Sequence, residues 1–422
     1  MARKRKKTSQ APSPPPRRLA KPALSILLSA LSALLLALLL FEALLHLAPG
    51  LAPMAVAQYL PASGKQAVAK AHGYMTKDMV KGDNLLYSYN PATARSERSF
   101  PIDENGYRNP GLPAEAVDVI LLGDSLLIAE GAARDLGDLF RERGFTAYNL
   151  GMGGYGLQLE LGAYLKYIVI PKVRHRAVVA LICLANDFKD SENYAHTVRG
   201  QGDYTWYLND GVKPAPERDS WLWSPGLLAG LGKIAAGWAK AEKPDTVQVT
   251  TPYATFTMER NALHPKNVYS GDYRQSAQFS YAMAGIIYAA RMSDTPVLFV
   301  FMPNPANLYA DFALDPSARA EVKEHYEIIK QAITEWCGWA QDSMRLRDDT
   351  LPVLKQGRDY WLLDALPPLS QAAARELVTV TPGDYHLNTR GIEVLFSAIS
   401  PLVQDLLAGR APSPPPAAPP SP

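Results

Sequence analysis

Cysteine is almost missing from this chain: 422 residues hold two, Cys183 and Cys337. That excludes a disulfide framework as the source of stability. Cys183 falls in an apolar strand-like run and Cys337 in a helical one. Outside the cytosol they could pair, and two buried thiols would account for them equally well. Neither has a second cysteine or a histidine at ligand spacing, and no paired-histidine or carboxylate cluster has it either. No metal and no cofactor is therefore expected. No Gly-x-Ser-x-Gly occurs, which argues against an α/β-hydrolase nucleophile elbow. No internal repeat is visible. Lysine and arginine are absent from Pro22 to Gly64.

What is present begins with charge asymmetry. Residues 1–21 carry eight Lys/Arg and no acid, so the overall +2 conceals a remainder of 35 basic against 41 acidic residues, or −6. A domain with that balance gives no reason to expect a nucleic-acid partner. Directly after the basic tail runs Ala23–Phe41, ALSILLSALSALLLALLLF, nineteen residues without a charge. At about 1.5 Å per residue it covers the ~30 Å hydrocarbon core of a bilayer. Basic residues before it and none until Lys65 after it place the N-terminus in the cytoplasm. The rest of the chain is expected in the periplasm or extracellular space. Ala55-Val56-Ala57 leaves a cleaved signal peptide as the alternative.

Composition divides the chain into a basic, Pro-rich cytoplasmic tail (1–22), a transmembrane signal-anchor helix (23–48), a juxtamembrane connector (49–114), a main domain (115–408) and a Pro-rich disordered end (409–422). Within the main domain, strands are expected at Val117–Leu122, Thr146–Leu150, Ala177–Leu184, Pro296–Met302 and Trp361–Leu363. Helices are expected at Gly131–Arg143, Leu157–Val169, Ser276–Arg291, Ala318–Trp339 and Thr389–Leu407. Continuous apolar strands alternating with amphipathic helices predict an α/β fold, a doubly wound, flavodoxin-like parallel sheet of about five strands. An insertion over 191–274 holds Trp206, Trp221, Trp223 and Trp238. Its aromatics could stack on sugar rings or pack within a lid.

In such sheets ligands bind beyond the carboxyl ends of the strands. Four features fall there. Gly123-Asp124-Ser125 follows the first strand, though a turn with Asp124 or Ser125 capping a helix would read the same way. Gly151, Gly153 and Gly154 follow the second and suit a backbone N–H aimed at a substrate, or a flexible turn. Asn186 follows the third, an oxyanion donor or a helix cap. His386 lies in TPGDYHLNTRG after the last strand. Of seven histidines, it alone falls outside the membrane segment and its flank, the basic turn, the insertion and mid-helix. In an extended segment Asp384 and His386 share a face, so the carboxylate can hold the ring while its other nitrogen serves Ser125. Alternatively, Asp384 and Asn388 cap the last helix and leave His386 exposed. Asp364, ending the last strand, is a second candidate for the orienting acid or a cap. Arg108, just before the domain, is placed to close its edge.

Taken together these blocks resemble the SGNH, or GDSL, hydrolase family. Gly123-Asp124-Ser125-Leu126 matches its first block, Asn149 to Gly154 its second, and Asn186 its third. Leu184 stands where that third block has glycine. In the last block Gly383 occupies the usual acid position and Asp384 stands one residue nearer His386. The resemblance implies Ser125 as nucleophile, His386 as base, Asp384 as orienting acid, and Gly154 and Asn186 as oxyanion donors beside the Ser125 N–H. The implied activity is a serine esterase acting on acyl, above all acetyl, esters outside the cytoplasm. Two alternatives stay open. One is O-acyl transfer to an envelope polysaccharide. The other is a non-catalytic, membrane-anchored binding or assembly protein. The expected partners are an acyl-ester substrate, an acylated carbohydrate among them, and the membrane.

Overall fold

The computed structural model of the protein describes residues 21–48, 51, 103, 105, 107–129, 131–153, 155–184, 186–188, 190–191, 245–263, 277–381 and 383–412. Its sheet is built from the apolar runs. β1 (Ala116–Leu122), β2 (Ala147–Asn149) and β3 (Arg174–Cys183) are followed, after a separate hairpin of β4 (Thr246–Thr250) and β5 (Thr255–Glu259), by β6 (Val297–Met302) and β7 (Tyr360–Asp364). The five-stranded sheet has the order β2-β1-β3-β6-β7, and every pairing in it is parallel. This is the α/β architecture the alternation predicts.

Successive residues of a strand face opposite sides, and here both sides are covered. Leu121, Leu181 and Val300 belong to one buried cluster with Phe140, Leu395 and Ile399. Ile120, Val178 and Phe299 belong to the other, with Tyr164, Ile287 and Ile329. The helices that supply these partners divide accordingly. On the first face lie α3 (Leu136–Glu142), α6 (Pro305–Ala313), α8 (Leu366–Ala373) and α9 (Thr389–Leu407); on the second lie α4 (Leu157–Tyr164), α5 (Ala277–Arg291) and α7 (Pro316–Arg345). The four-residue α2 (Ser125–Ile128) sits at the end of β1. Cys183 joins the first cluster and Cys337 the second, with the sheet between them, and the two do not form a disulfide.

Residues assigned to the connector turn out to be core. Tyr107, Arg108 and Asn109 are buried, and Asn109 exchanges hydrogen bonds with the backbone of Asn149. The four tryptophans of the insertion lie outside the described residues; within it the β4–β5 hairpin carries Val249 and Met258 into the first core cluster.

At the N-terminus, α1 (Lys21–Leu47) is a 27-residue helix. Among the described residues no helix is long and apolar enough to cross a membrane. Within α1, Leu34, Leu35 and Leu36 are all exposed. At about 100° per residue they occupy three faces of the helix.

Candidate active site

The doubly wound order reverses between β1 and β3, and the carboxyl ends of those two strands carry Ser125 and Asn186. β1 ends where Asp124 turns its side chain back to accept the Leu126 N–H at 2.9 Å, an N-cap that starts α2 at Ser125. As the first helical residue, Ser125 keeps its N–H out of the helix's own ladder. The far end of α2 is pinned too. Ala129 takes the left-handed conformation (φ 51°), and the buried Arg108 guanidinium donates to the carbonyls of Ile128 at 2.6 Å and Ala129 at 3.0 Å. Arg108 also faces the buried Asp135 at 3.4 Å. The residue expected to close the domain's edge thus clamps the C-terminal end of α2.

β2 supports the same helix from below. Asn149 is buried and donates to the Leu127 carbonyl and to Asp135, at 3.0 and 2.9 Å. Its side-chain oxygen takes the Gly151 N–H at 2.7 Å. A Cβ on Gly151 would come within 2.3 Å of Leu127, so glycine here allows close packing against α2, and its N–H is not aimed at a substrate. Gly154 lies outside the described residues.

His386 reaches Ser125 from the opposite end of the domain. After α8 the chain forms an antiparallel bridge between Thr379 and Leu387, and the Val380 N–H donates to the His386 carbonyl at 2.9 Å. Asn388 then caps α9 by accepting the Gly391 N–H, while its amide donates to the Leu377 and Thr379 carbonyls. The loop is thereby fixed on both sides of His386. Its Nε2 lies 2.8 Å from Ser125 Oγ, and its Nδ1 lies 2.7 Å from Asp384 Oδ1. The same oxygen accepts the His386 backbone N–H at 2.9 Å. Capping belongs to Asn388 alone, and Asp384 holds the ring. Burial pushes the Asp384 carboxyl up, but the His386 ring and the His386 and Tyr385 N–H groups outweigh it and hold the carboxyl below its usual range. The acid therefore stays ionised beside the imidazole.

Asp364 does not enter this relay. It accepts from the Tyr326 hydroxyl at 2.5 Å and from Lys330 Nζ at 2.6 Å, both on α7, and from the Leu366 N–H at 2.9 Å where α8 begins.

Asn186 arrives beside Ser125 but is already engaged. Its side-chain nitrogen donates to Asp124 at 3.1 Å and to Asp190 at 2.9 Å. An amide nitrogen has two hydrogens, and both are used. Around it lie further acids, Asp187 and Glu160. Asp187 is buried and accepts the Cys183 N–H at 2.7 Å. Glu160 is fully buried, and neither of its oxygens finds a partner among the described residues. Burial first, and then the neighbouring Asp124, raises the Glu160 pKa well above the carboxylate range. Burial with Asp124, Glu160 and Asp190 does the same to Asp187. Among the described residues these groups do not converge as a metal-ligand set. One signal was available for the Asn186–Asp190 contact: the two are four apart, one helical turn.

Tyr385 stands beside the relay. Its ring stacks on the His386 imidazole, centroids 4.2 Å apart and planes inclined by 30°.

A serine, an imidazole and an ionised carboxylate joined in line form a proton relay able to activate a hydroxyl as nucleophile. No protein-family model matches the chain, and no curated protein matches it.

Proposed function

We propose that the protein is a serine-dependent acyl-ester hydrolase of the SGNH type, held at a membrane by α1 with its sheet domain outside the cytoplasm. The observation that carries the reading is the Asp384–His386–Ser125 chain, in which a 2.8 Å link joins His386 to Ser125, 261 positions apart, and a 2.7 Å link joins the ring to Asp384. A chance meeting of polar side chains does not require an ionised acid, a fixed tautomer and a helix start at one place.

In this reading Ser125 Oγ attacks the ester carbonyl as its proton passes to His386 Nε2. Asp384 holds the Nδ1 hydrogen and stabilises the imidazolium. The carbonyl π pair moves onto oxygen, where the Ser125 N–H donates to it. Collapse expels the alcohol, which leaves with the proton from His386. Water then attacks the acyl-serine, giving its proton to His386, and the second collapse returns that proton to Ser125 Oγ and releases the acid. A covalent acyl-enzyme splits the reaction into these two steps.

Support for the anchor is the uncharged Ala23–Phe41 run after eight basic residues, with exposed leucines on several faces of α1. A helix apolar all round is at home in lipid or in a large core. Protease added outside intact cells, after outer-membrane permeabilisation where one exists, should digest the sheet domain; full protection contradicts this topology.

The activity is tested with the full chain in detergent, on 4-nitrophenyl acetate and acetylated oligosaccharides. Free acetate should form with wild type and not with Ser125→Ala. If acetate falls as acetylated acceptor appears, the enzyme is a transferase. Equal turnover by wild type and Ser125→Ala removes the serine mechanism.

A further inference from the structure

The relay works only if Ser125 and His386 keep one spacing, yet they stand on separate segments of chain. Ser125 opens α2. His386 belongs to the short ladder in which Thr379 bridges Leu387 and the Val380 N–H donates to the His386 carbonyl at 2.9 Å. The segment that leaves α2 runs directly against this ladder. A Cβ built on Gly131 would lie 1.9 Å from Val380 Cγ2, 3.3 Å from Val380 Cβ and 3.4 Å from the Leu387 carbonyl oxygen. Gly131 is therefore seated across both strands of the pair that carries His386. Two residues on, the Ala133 N–H donates to Thr389 Oγ1 at 3.1 Å, just beyond the ladder.

Arg108 holds the ends of the same segment. Its guanidinium donates to the Ile128, Ala129 and Ala133 carbonyls at 2.6, 3.0 and 3.3 Å, which bracket Gly131 in the chain. The Ala132 N–H closes the turn between them on the Ala129 carbonyl at 2.9 Å. One buried cation thus fixes both ends, and the middle rests on the His386 ladder. Gly131 does not take the left-handed conformation, so its backbone does not itself call for glycine. What calls for it is the close approach. Val380 cannot swing its methyl aside cheaply, since a β-branched side chain is stiff at χ1.

We propose that Gly131 is a positioning residue of the site, the point where the segment after α2 bears on Val380 and so sets the distance from Ser125 to His386. The inference rests on the acyl-enzyme reading above. Arg108, lying before the first strand, then acts on that distance through Gly131. A methyl group at position 131 needs more than about 1.5 Å of extra room, an ordinary carbon–carbon contact being about 3.5 Å or longer. That room has to come from parting the two segments. A misplacement of about 1 Å between reacting groups can cost about 10²-fold in rate.

Gly131→Ala in the full chain should therefore lower kcat on 4-nitrophenyl acetate about 10²-fold, with KM within about twofold. Fluorophosphonate labelling of Ser125 should slow by a similar factor, because it too needs His386 within reach of Oγ. The discriminating readout is rescue. Val380→Ala removes the colliding methyl and leaves only the 3.3 Å approach of its Cβ. Gly131→Ala/Val380→Ala should recover to within about fivefold of Val380→Ala, whereas independent structural losses would add. An unchanged kcat, a loss confined to KM, or a double variant no faster than Gly131→Ala overturns the proposal, while an inactive Ser125→Ala leaves the serine mechanism standing. An active Ser125→Ala removes both. If Gly131→Ala does not fold, Thr389→Val tests the same seam, keeping the side-chain shape and removing only the acceptor of the Ala133 N–H. There kcat should fall several-fold with KM unchanged, and an unchanged kcat contradicts the role.

Discussion

The His386 side of Ser125 and the Asn186 side differ in how their polar atoms are satisfied. On the first, donors and acceptors alternate: Asp384 takes two N–H groups from His386, and the ring passes on to Ser125. On the second, one amide serves two carboxylates, and Glu160 is fully buried with both oxygens unpartnered among the described residues. Hydrogen bonds hold the Asp384 charge in place, whereas Glu160 meets its burial by keeping its proton. One half of the site is wired for proton transfer at rest. The other half is an acidic floor whose buried carboxyls are pushed toward the protonated form.

The sharpest way to break this comparison is at the relay. Asp384→Asn should cut turnover about 10³–10⁴-fold, since the amide no longer fixes the tautomer or stabilises the imidazolium, with thermal unfolding little changed. Next comes the clamp under α2. Arg108→Met removes the donor to the Ile128 and Ala129 carbonyls and takes from buried Asp135 the nearer of its two cations, leaving Arg141 at 3.8 Å. Breaking a buried pair costs up to about 3–5 kcal/mol, measurable in urea as a fall in unfolding free energy.

The acidic floor gives a pH-dependent signature. Below the ordinary glutamate pKa of about 4.5 both folded and unfolded chains hold the Glu160 proton. As pH rises through that value the unfolded chain releases it and the folded one does not. Each pH unit therefore costs the wild type about 1.4 kcal/mol of stability until the folded carboxyl ionises. Glu160→Gln is free of that loss, so its stability relative to wild type should rise between pH 5 and pH 7 by at least about 1 kcal/mol. A difference independent of pH means that Glu160 is charged in the native state. The smallest effect is expected at Asp364→Asn. Its partners are Tyr326 and Lys330 on α7, so turnover should stay within about twofold.

Legibility in the sequence follows the same divide. All five sheet strands were readable because each is an apolar run ending at Gly, Asn, Asp or Pro, and α9 begins and ends where its pattern predicts, at Thr389 and Leu407. Ser125, Asp384 and His386 could be found because each stands in a polar break beyond a strand end. α3 starts at Leu136 and not at Gly131, because Asp135 caps it reciprocally with Asp138, and the preceding residues serve Arg108 instead. α6 and α8 were missed: each is short and opens with proline at its start, which in sequence reads as a turn. The β4–β5 hairpin escaped as well, its exposed Thr246, Gln248, Thr255 and Thr257 diluting the apolar signal. Nor does the sequence show that the Asn186 amide also reaches Asp124, since that depends on β1 and β3 lying side by side.

The central claim is that Ser125 is the atom acylated, and it is open to direct measurement. The full-length protein is treated with a fluorophosphonate probe, digested and analysed by mass spectrometry, alongside Ser125→Ala and His386→Ala. The account predicts a single adduct on the peptide containing Ser125, absent from Ser125→Ala and strongly slowed in His386→Ala. An adduct on another residue, or equal labelling of all three proteins, would contradict it.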